Sequence, residues 1–535
     1  MYVPIDQALT AALASIGANA TAPLNLERGR NSFELVATDS VAWHLKVTFE
    51  LPLTVLPSIF LAAPAEGEGL AHVSYTGCIC YSDHEGEGFD PTNVENVVAF
   101  AVARAVAVLE DSLRKKHAGD FQALLDEFEG YWHSIPDCYM VPLATAPVAE
   151  NQLYAQVQQI HSKRARILAL DQGIGIDAKT PRRKVHFLPI ASAVMPPANG
   201  ELLQNGWLQN LIDQAGPVAQ HISKQHGSHI FLFAQARTEG ESLFGVMFTT
   251  VRSGSHAKLT RVHPFGVQRA WRDYLLARTG VSQVKQCVAI IGCGALGSRV
   301  AEQLATSGID ELILIDFDYF SYDNIYRHIL GRNSVGQRKV YALKHELEIK
   351  HPGLLVHTFT GTAEQWLCDP ARRQVCQTIV LTTGQLALER EITQQAFAEC
   401  WSQRLVSGWL EPLGLGGHVI ASKAGVSGCL ECLFTDVGCS RPDMRVAFLI
   451  PGQQVSRNLT GCGGRFVPYS ALHATETALH VCKMVLAGTT GYRCWAGDPA
   501  AAIAEGLSVT RWHERCRNLP PNEPIAHRDC PCCSS

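Results

Sequence analysis

Residues 288–320, VAIIGCGALGSRVAEQLATSGIDELILIDFDYF, decide the fold of the second half of the chain. An apolar run leads into Gly292, Gly294 and Gly297, and a helical pattern then leads to a second apolar run that ends at Asp316. The pattern predicts a strand, a glycine-rich turn, a helix whose N-terminus binds phosphate, and a second strand. Asp316 would accept hydrogen bonds from a ribose. The glycine spacing alone does not distinguish NAD, FAD and ATP.

Charged residues follow the second apolar run in DFDYFSYDNIYRHILGRNSVGQRKV, residues 316–340. This stretch contains Asp318, Asn324, Arg327 and Lys339. Hydride transfer requires a flat pocket for nicotinamide, whereas cleavage of a triphosphate requires fixed cations, because negative charge builds up on the leaving pyrophosphate. A single lysine or arginine is usually a solvated surface residue. The whole series favours an ATP site.

These ordered motifs resemble those of the adenylating family of ThiF/MoeB-type, ubiquitin-activating-like enzymes, whose pattern reads GxGGLG … DxDxVexSNLxRQ … GxxK. The resemblance extends over residues 263–535 and implies a Rossmann-like α/β domain that uses ATP and Mg²⁺ and forms a homodimer. It implies a nucleotide cradle at Gly292, Gly294 and Gly297, a ribose ligand at Asp316, and phosphate ligands at Asn324, Arg327 and Lys339, with Arg327 also catalytic.

Two parts of the family pattern are altered or ambiguous here. Gly384, in the sequence IVLTTGQ at residues 379–385, stands where the family usually carries a magnesium-binding aspartate. This leaves Asp318 with the phosphates, or Glu389, to hold Mg²⁺. Arg272 resembles the arginine of the family's short N-terminal helix that reaches the triphosphate, often across a dimer interface. Arg278 is the alternative, and either residue could instead cap a surface helix.

Two CxxC pairs, Cys429/Cys432 and Cys530/Cys533, predict a tetrahedral zinc site of four sulfurs that joins two distant loops. A redox-active CxxC is the alternative, but two pairs without a thioredoxin-like context favour zinc. The adenylating family carries structural zinc of this kind, so the metal would staple the domain together. Cys532 could replace Cys530, although its spacing is less suitable.

Cys462 lies in the glycine-rich stretch LTGCGGRF, just before an amphipathic helical pattern. Glycine neighbours leave a thiol accessible, and a helix N-terminus stabilises a thiolate. Adenylating enzymes that transfer a ubiquitin-like tail use a cysteine in the equivalent loop to take the acyl group from AMP. We therefore expect Cys462 to accept the acyl group, with Cys439 as the second choice and a packing cysteine as the alternative.

A further thiol, Cys80, lies in HVSYTGCICYSDHEG. The sequence from Gly77 to Cys80 resembles the G-x-I-C turn of ubiquitin-conjugating enzymes, in which the thiol carries the ubiquitin-like protein. The usual His-Pro-Asn is replaced by His72-Val73-Ser74, so we expect Asp83 or His84 to stabilise the oxyanion. Both thiols must ionise, and we expect them to lie in partly exposed, electropositive surroundings. A strand-core role for Cys80 is the alternative.

The chain has 535 residues, 47% of them hydrophobic, enough for several cores. A net charge of −5 argues against nucleic-acid binding, and we expect neither a membrane-spanning segment nor a signal peptide. We expect a soluble, cytoplasmic protein without a disulfide framework. The predicted domains are an α+β ubiquitin-conjugating-like domain at 1–135, an α+β linker domain at 136–262 and the α/β adenylating domain at 263–535.

This domain order resembles that of bacterial fusion proteins in CBASS anti-phage operons. The resemblance implies that the C-terminal glycine of a cGAS/DncV-like nucleotidyltransferase is adenylated, passed through Cys462 and Cys80, and ligated to an amine. One alternative is a separate ubiquitin-like modifier as substrate. Another is a sulfur-carrier adenylyltransferase whose N-terminal half only binds a partner, and a third is a catalytically inactive N-terminal platform.

Overall fold

The computed structural model describes residues 4–83, 86, 88–148, 152–161, 164–171, 182–198, 202, 206–253, 256–434, 443–459, 465–520 and 522–534. The chain divides into two compact units, Met1–Ala270 and Trp271–Ser535. No helix among the described residues has the length and apolar character needed to cross a lipid bilayer.

The first unit begins with a four-stranded antiparallel sheet in the order β1-β2-β3-β4. Its elements are α1 (Ile5–Ser15), β1 (Ala18–Ala20), β2 (Gly29–Thr38), β3 (Ala42–Leu51), β4 (Ser58–Leu61), α2 (Val94–His117), α3 (Gln122–Asp126) and α4 (Phe128–His133). Buried and exposed residues alternate along β3, as expected for a strand with one face on a core. Val47 from this strand and Val98 and Val102 from α2 are fully buried in that core. The helical pattern of residues 93–125 predicts a longer helix, but α2 ends at His117, shortly before Gly119, whose φ is +74°.

The rest of the first unit is a closed seven-stranded barrel in the order β10-β11-β5-β7-β6-β8-β9. Its elements are β5 (Tyr139–Leu143), β6 (Leu153–His161), β7 (Arg164–Asp171), β8 (Arg182–Ile190), α5 (Gly206–Gln214), α6 (Pro217–Ser223), β9 (Gly227–Ala236), β10 (Glu241–Ser253) and β11 (His256–Arg269). Phe231, Phe233, Phe244 and Phe248 are fully buried in one core cluster. The expected α+β linker region therefore has a barrel as its β component.

The two predicted domain limits cut through packed structure. Trp132 in α4, expected at the end of the first domain, lies in the barrel's core cluster, and its indole Nε1 donates to Phe265 O at 3.0 Å. The limit predicted between residues 262 and 263 falls inside β11, where Phe265 and Val267 pair with β5. The unit boundary lies instead between Ala270 and Trp271, because β11 must reach Arg269 to complete its pairing with β5.

The second unit is built on a seven-stranded sheet in the order β14-β13-β12-β15-β16-β17-β20. Its elements are α7 (Arg272–Ala277), β12 (Val284–Ile291), α8 (Ala295–Thr306), β13 (Ile309–Ile315), α9 (Lys339–Lys350), β14 (Leu355–Phe359), α10 (Ala363–Leu367), α11 (Pro370–Gln374), β15 (Thr378–Leu381), α12 (Leu386–Ala398), β16 (Arg404–Leu410), β17 (Gly416–Lys423), β18 (Arg457–Asn458), β19 (Arg465–Phe466), α13 (Ala471–Ala487), β20 (Gly491–Ala496), α14 (Ala500–Ala504) and α15 (Arg511–Cys516). Against the expectation of free cysteines, Cys494 and Cys516 form a disulfide between β20 and α15.

The first five strands of this sheet are parallel, and β17 and then β20 are added at one edge, each antiparallel to its neighbour. The parallel part has the 3-2-1-4-5 strand order of a doubly wound nucleotide-binding fold. Val300 from α8 packs in one core cluster of the sheet and Ile392 from α12 in another, so residues 288–291 of β12 are buried. The predicted Rossmann-like α/β architecture is confirmed, and the strand order reverses between β12 and β15, where ligands bind in such sheets.

Candidate active site

The glycine-rich turn after β12 lies at this point of strand-order reversal. Gly292 has a φ of +91°, and a Cβ there would lie 2.7 Å from Thr382 O, at the end of β15. A Cβ on Gly297 would lie 1.9 Å from Gly292 O, so only glycine lets the first turn of α8 pack on the loop. Gly294 is the N-cap of α8, with no atom within 4 Å of its Cβ position. The helix N-terminus, which favours anions, therefore opens onto free space.

Asp316 and His328 hold this turn from the side of β13. Asp316 Oδ2 accepts a hydrogen bond from Cys293 N at 2.7 Å, and its Oδ1 accepts from Asp318 N at 2.7 Å. His328 Nδ1 accepts from Leu330 N at 3.1 Å, so its Nε2 carries the proton and donates to Cys293 O at 2.9 Å. Burial lowers the pKa of His328 to about 4, which keeps the ring neutral. Sequence reasoning missed His328, although it directly follows Arg327.

Beyond Asp318, a cavity of about 570 Å³ contains most of the predicted phosphate ligands. Its lining residues are Asp318, Tyr319, Ser321, Asp323, Asn324, Arg327, Lys339, Leu459, Arg465 and Phe466. The Lys339 ammonium, buried at the start of α9, donates to Asp318 Oδ2 at 2.8 Å. Asn324 Oδ1 accepts from Ser321 N at 3.3 Å, and the Arg327 guanidinium lies 5.3 Å from the centre of the Tyr469 ring.

Two further cavities adjoin the glycine turn. One, of about 270 Å³, is lined by Gly292, Asp316 and Asp318 and shares Asp318 with the 570 Å³ cavity. The other, of about 430 Å³, is lined by Gly294, Trp409 and Tyr469 and shares Thr383 with the 270 Å³ cavity. After the ligands expected there, the three cavities are hereafter called the nucleoside-side (270 Å³), phosphate-side (570 Å³) and tail-side (430 Å³) cavities.

The position that the family uses for a metal-binding aspartate contains no carboxylate here. Gly384 has a φ of +70°, with open space at its Cβ position. Glu389 is buried, and its Oε1 accepts from Thr383 N at 3.0 Å and Thr383 Oγ1 at 2.8 Å; burial raises its pKa to about 7. Asp318 is half exposed. Because Mg²⁺ prefers carboxylate and phosphate oxygens, Asp318 together with a triphosphate fits this ion.

The structure does not bring Arg272 to the cradle. Its Nη2 donates to Ile309 O at 2.7 Å and to Ala305 O at 3.3 Å, and its Nε lies 3.7 Å from Asp310 Oδ1. These partners lie at the C-terminal end of the 12-residue helix α8 and at the start of β13. At 1.5 Å per residue, that end is about 18 Å from the glycine turn. Arg272 therefore does not contact the cradle of its own chain, and its buried guanidinium connects α7 to the end of α8 and the start of β13.

The four predicted metal-ligating cysteines converge. The Sγ atoms of Cys429, Cys432, Cys530 and Cys533 all lie within 4.8 Å of one another. Cys429 Sγ is 3.7 Å from Cys530 Sγ, and Cys432 Sγ is 3.3 Å from Cys533 Sγ. Four thiolates about 2.3 Å from a tetrahedral Zn²⁺ would be about 3.8 Å apart, so the cluster fits zinc. Cys532 is not among the four.

Cys80 lies at the end of a short hairpin after β4. Its backbone N donates to His72 O at 2.8 Å, and Val73 bridges to Ile79. The side chain is exposed, as expected. Its surroundings are not electropositive, however, because burial and the carboxylates of Glu127 and Asp83 raise the pKa of the thiol.

Glu127, between α3 and α4, also binds His72, which stands at the position of the histidine in the usual His-Pro-Asn sequence. Its Oε2 accepts from His72 N at 2.6 Å, and its Oε1 pairs with His72 Nδ1. This carboxylate raises the pKa of the imidazole. His72 has a φ of +63°, a conformation that a non-glycine residue adopts only when its surroundings hold it. Sequence reasoning missed Glu127, since its partner lies 55 residues earlier.

Cys462, Cys439 and His84 lie outside the described residues. The two strands that flank Cys462 are described: in the antiparallel pair β18 and β19, Arg457 faces Phe466 and Asn458 faces Arg465. The predicted roles of these three residues stay predictions.

Comparison with known proteins agrees with the two outer domains. Residues 275–517 match the ThiF family, and residues 25–141 match prokaryotic E2 family B. The chain therefore contains a ThiF-family adenylation domain preceded by a prokaryotic E2-like domain, which confirms the predicted combination.

Several curated proteins are similar to the chain. It is 31% identical over 159 residues to "Uncharacterized protein y4oA" of Sinorhizobium fredii, and this covers 27% of each chain. It is 24% identical to "ATP-dependent ubiquitin transferase-like protein Cap2" of Pseudomonas aeruginosa, covering 51% of this chain and 48% of that one. A protein of the same name from Vibrio cholerae is 22% identical, covering 81% and 84%. The chain thus spans about a quarter and about half of the first two relatives.

Among solved structures, the crystal structure of Escherichia coli MccB with ATP covers 46% of this chain and 66% of its own, with 17% identity and a TM-score of 0.32. A TM-score this low supports no conclusion about the site.

Proposed function

We propose that the protein uses ATP to adenylate the C-terminal carboxylate of another protein and then transfers the acyl group through two cysteines to an amine. The observation that carries this proposal is the set of three adjacent cavities around a glycine turn, which share Asp318 and Thr383 as lining residues and one of which is lined by Arg327 and Lys339. The names of the Cap2 relatives, ATP-dependent ubiquitin transferase-like proteins, support the same class of reaction.

In the first step, a substrate carboxylate enters the tail-side cavity and attacks the α-phosphorus of ATP. A bond forms between the carboxylate oxygen and phosphorus, the bond to the β-phosphate oxygen breaks, and pyrophosphate leaves into the phosphate-side cavity. Arg327 and Lys339 neutralise the charge that builds up there, and Asp316 binds the ribose in the nucleoside-side cavity. When bound, Mg²⁺ shields the phosphate oxygens, and Asp318 would hold it together with them.

In the following steps, Cys462 Sγ attacks the acyl carbon and AMP leaves, so that a thioester forms. Cys80 Sγ then replaces Cys462 Sγ in a second thioester. An amine nitrogen finally displaces Cys80 Sγ, forming an amide, and the thiolate takes up the proton that the amine loses. The four cysteines of the sulfur cluster would hold a structural Zn²⁺ outside this sequence of steps.

As substrate we propose a protein with a C-terminal glycine-type tail, such as a cGAS/DncV-like nucleotidyltransferase in CBASS anti-phage defence. A ubiquitin-like modifier or a sulfur carrier would use the same first step. We also propose a cytoplasmic homodimer, as in the adenylating family.

The test is ATP–pyrophosphate exchange by the full chain, with each class of protein tail added in turn, followed by non-reducing gels to trap thioesters. We expect tail-dependent exchange and thioester bands that thiols remove. Hydride transfer from NADH to a carbonyl, or no exchange with any tail, would contradict the proposal.

A further inference from the structure

Arg465 is a third basic residue on the phosphate-side cavity, one that the motifs did not indicate. It lines this cavity together with Arg327 and Lys339. It reaches the cavity from β19, whereas Arg327 and Lys339 belong to the segment after β13. The cavity is therefore approached by cations from two separate parts of the chain.

The guanidinium of Arg465 is available to a ligand. Lys339 is already paired with Asp318, but no ion pair of Arg465 is found among the residues that the structure describes. Its side chain is exposed at the cavity. Arg457 on the neighbouring strand differs in this respect, because its guanidinium pairs with Glu505.

The position of the cavity indicates which part of a nucleotide Arg465 would meet. Asp318 lines both the phosphate-side and the nucleoside-side cavity, whereas Gly292 and Asp316 line the nucleoside-side one and not the phosphate-side one. A nucleoside next to Asp316 and a first phosphate at the N-terminus of α8 leave the phosphate-side cavity for the outer phosphates. A guanidinium matches the oxygens of a phosphate bidentately and stays charged at all physiological pH values.

We propose that Arg465 binds the β- and γ-phosphates of ATP, and the pyrophosphate product, and thereby makes the site selective for a triphosphate over a monophosphate. This inference rests on the proposed function, because it assumes that ATP occupies the three cavities. Among the described residues, Arg327 and Arg465 are both basic residues of this cavity without a paired carboxylate, whereas Lys339 is paired with Asp318.

The test is isothermal titration calorimetry of the full chain with ATP, AMP and inorganic pyrophosphate. Arg465→Ala should weaken binding of ATP and of pyrophosphate by about tenfold or more, the usual effect of losing a charge-assisted hydrogen bond. Its affinity for AMP should stay within about twofold of the parent. Arg465→Lys should give an intermediate loss, since it keeps the charge without the bidentate geometry.

Arg457→Ala is the matched control, because it removes an arginine from the same strand pair and should bind all three ligands as the parent does. If Arg465→Ala binds ATP and pyrophosphate like the parent while Arg327→Ala does not, this inference is wrong and the proposed function stands. If Arg327→Ala and Lys339→Ala also bind ATP like the parent, the proposed function itself fails. Equal weakening of ATP and AMP would assign Arg465 to a different phosphate and overturn the inference.

Discussion

Arg327 differs from its basic neighbour Lys339 in having a ring, not a carboxylate, beside it. The guanidinium lies over Tyr469, whereas the Lys339 ammonium is bonded to Asp318. A ring face does not neutralise the cation as a carboxylate would. Arg327 can therefore offer its full charge to a phosphate without first breaking an ion pair.

We predict that Arg327→Ala reduces ATP–pyrophosphate exchange at least about a hundredfold, because it removes a cation from the charge that develops in the transition state. Arg332→Ala is the control, since Arg332 lies on the same connection but does not line the cavity. The rate is measured by incorporation of labelled pyrophosphate into ATP. Near-parental exchange by Arg327→Ala would remove this residue from the phosphate site.

Glu127 sets the charge of the imidazole beside Cys80, and we predict that Glu127→Gln lowers the pKa of His72. The raised pKa of His72 comes first from its hydrogen bond to Glu127, with a smaller contribution from Asp111. Since the folded-state pKa is raised, the stabilisation by this pair is present at acidic pH and is lost as pH rises through the pKa of His72. NMR titration of the His72 ring measures the shift.

Asp111→Asn serves as the control for this titration and should change the pKa of His72 less than Glu127→Gln does. A His72 ring that titrates identically in the parent and in Glu127→Gln would show that the two groups do not interact in solution.

The secondary-structure elements around the glycine turn were predictable because their signals are local. Residues 288–320 contain a buried strand, the three glycines of the turn, an amphipathic helix and a second strand within one short stretch, and each appears where the pattern placed it. The CxxC pairs carry their spacing in the same way. The apolar runs at residues 229–233 and 244–248 also predict strands, and these runs lie in β9 and β10.

Features that depend on residues far apart in the chain could not be predicted from local sequence patterns. Closure of the barrel requires β5 to pair with β11, more than 100 residues later in the chain. Arg272 resembles a phosphate-binding arginine by position, but carbonyl groups at Ala305 and Ile309 hold it elsewhere. Arg465 lacks any motif of its own, and only the cavity reveals its relation to Arg327.

The sulfur cluster joins the segment after β17, which carries Cys429 and Cys432, to the end of the described chain, which carries Cys530 and Cys533. We predict about one zinc per chain and its loss in Cys429→Ser. This substitution should also lower the free energy of unfolding, because the metal no longer connects the two segments. Elemental analysis and chemical denaturation measure the two effects. Cys400→Ser, at an exposed free cysteine, is the control and should retain the metal. Absence of zinc from the parent protein would contradict the predicted structural zinc site.

At the scale of the whole molecule, the proposed chemistry divides between the two units, with Cys80 in the first and Cys462 in the second. We predict that Cys80→Ala leaves ATP–pyrophosphate exchange unchanged, accumulates a thioester at Cys462 and forms no amide product. Non-reducing gels and mass spectrometry of the substrate separate these species. Removal of one thiol thus isolates the first unit's contribution.

Cys78→Ala is the control, since Cys78 is a neighbouring thiol, half-buried, with a pKa raised by burial. Conjugation that continues in Cys80→Ala would contradict the two-thiol relay and favour an N-terminal domain that only recruits a partner.

The barrel of the first unit is closed, and closure restricts how another protein can attach to it. Each of the seven strands has a paired neighbour on both sides, but β5 and β7 pair at one position only, Leu143 with Leu170. The long pairings of β10 with β9 and β11 leave no row of free N–H and C=O groups along that described strand. An extended peptide therefore cannot add a strand beside β10, and a partner that docks on this side of the barrel must recognise side chains of its outer face, its connecting loops or the helices packed against it.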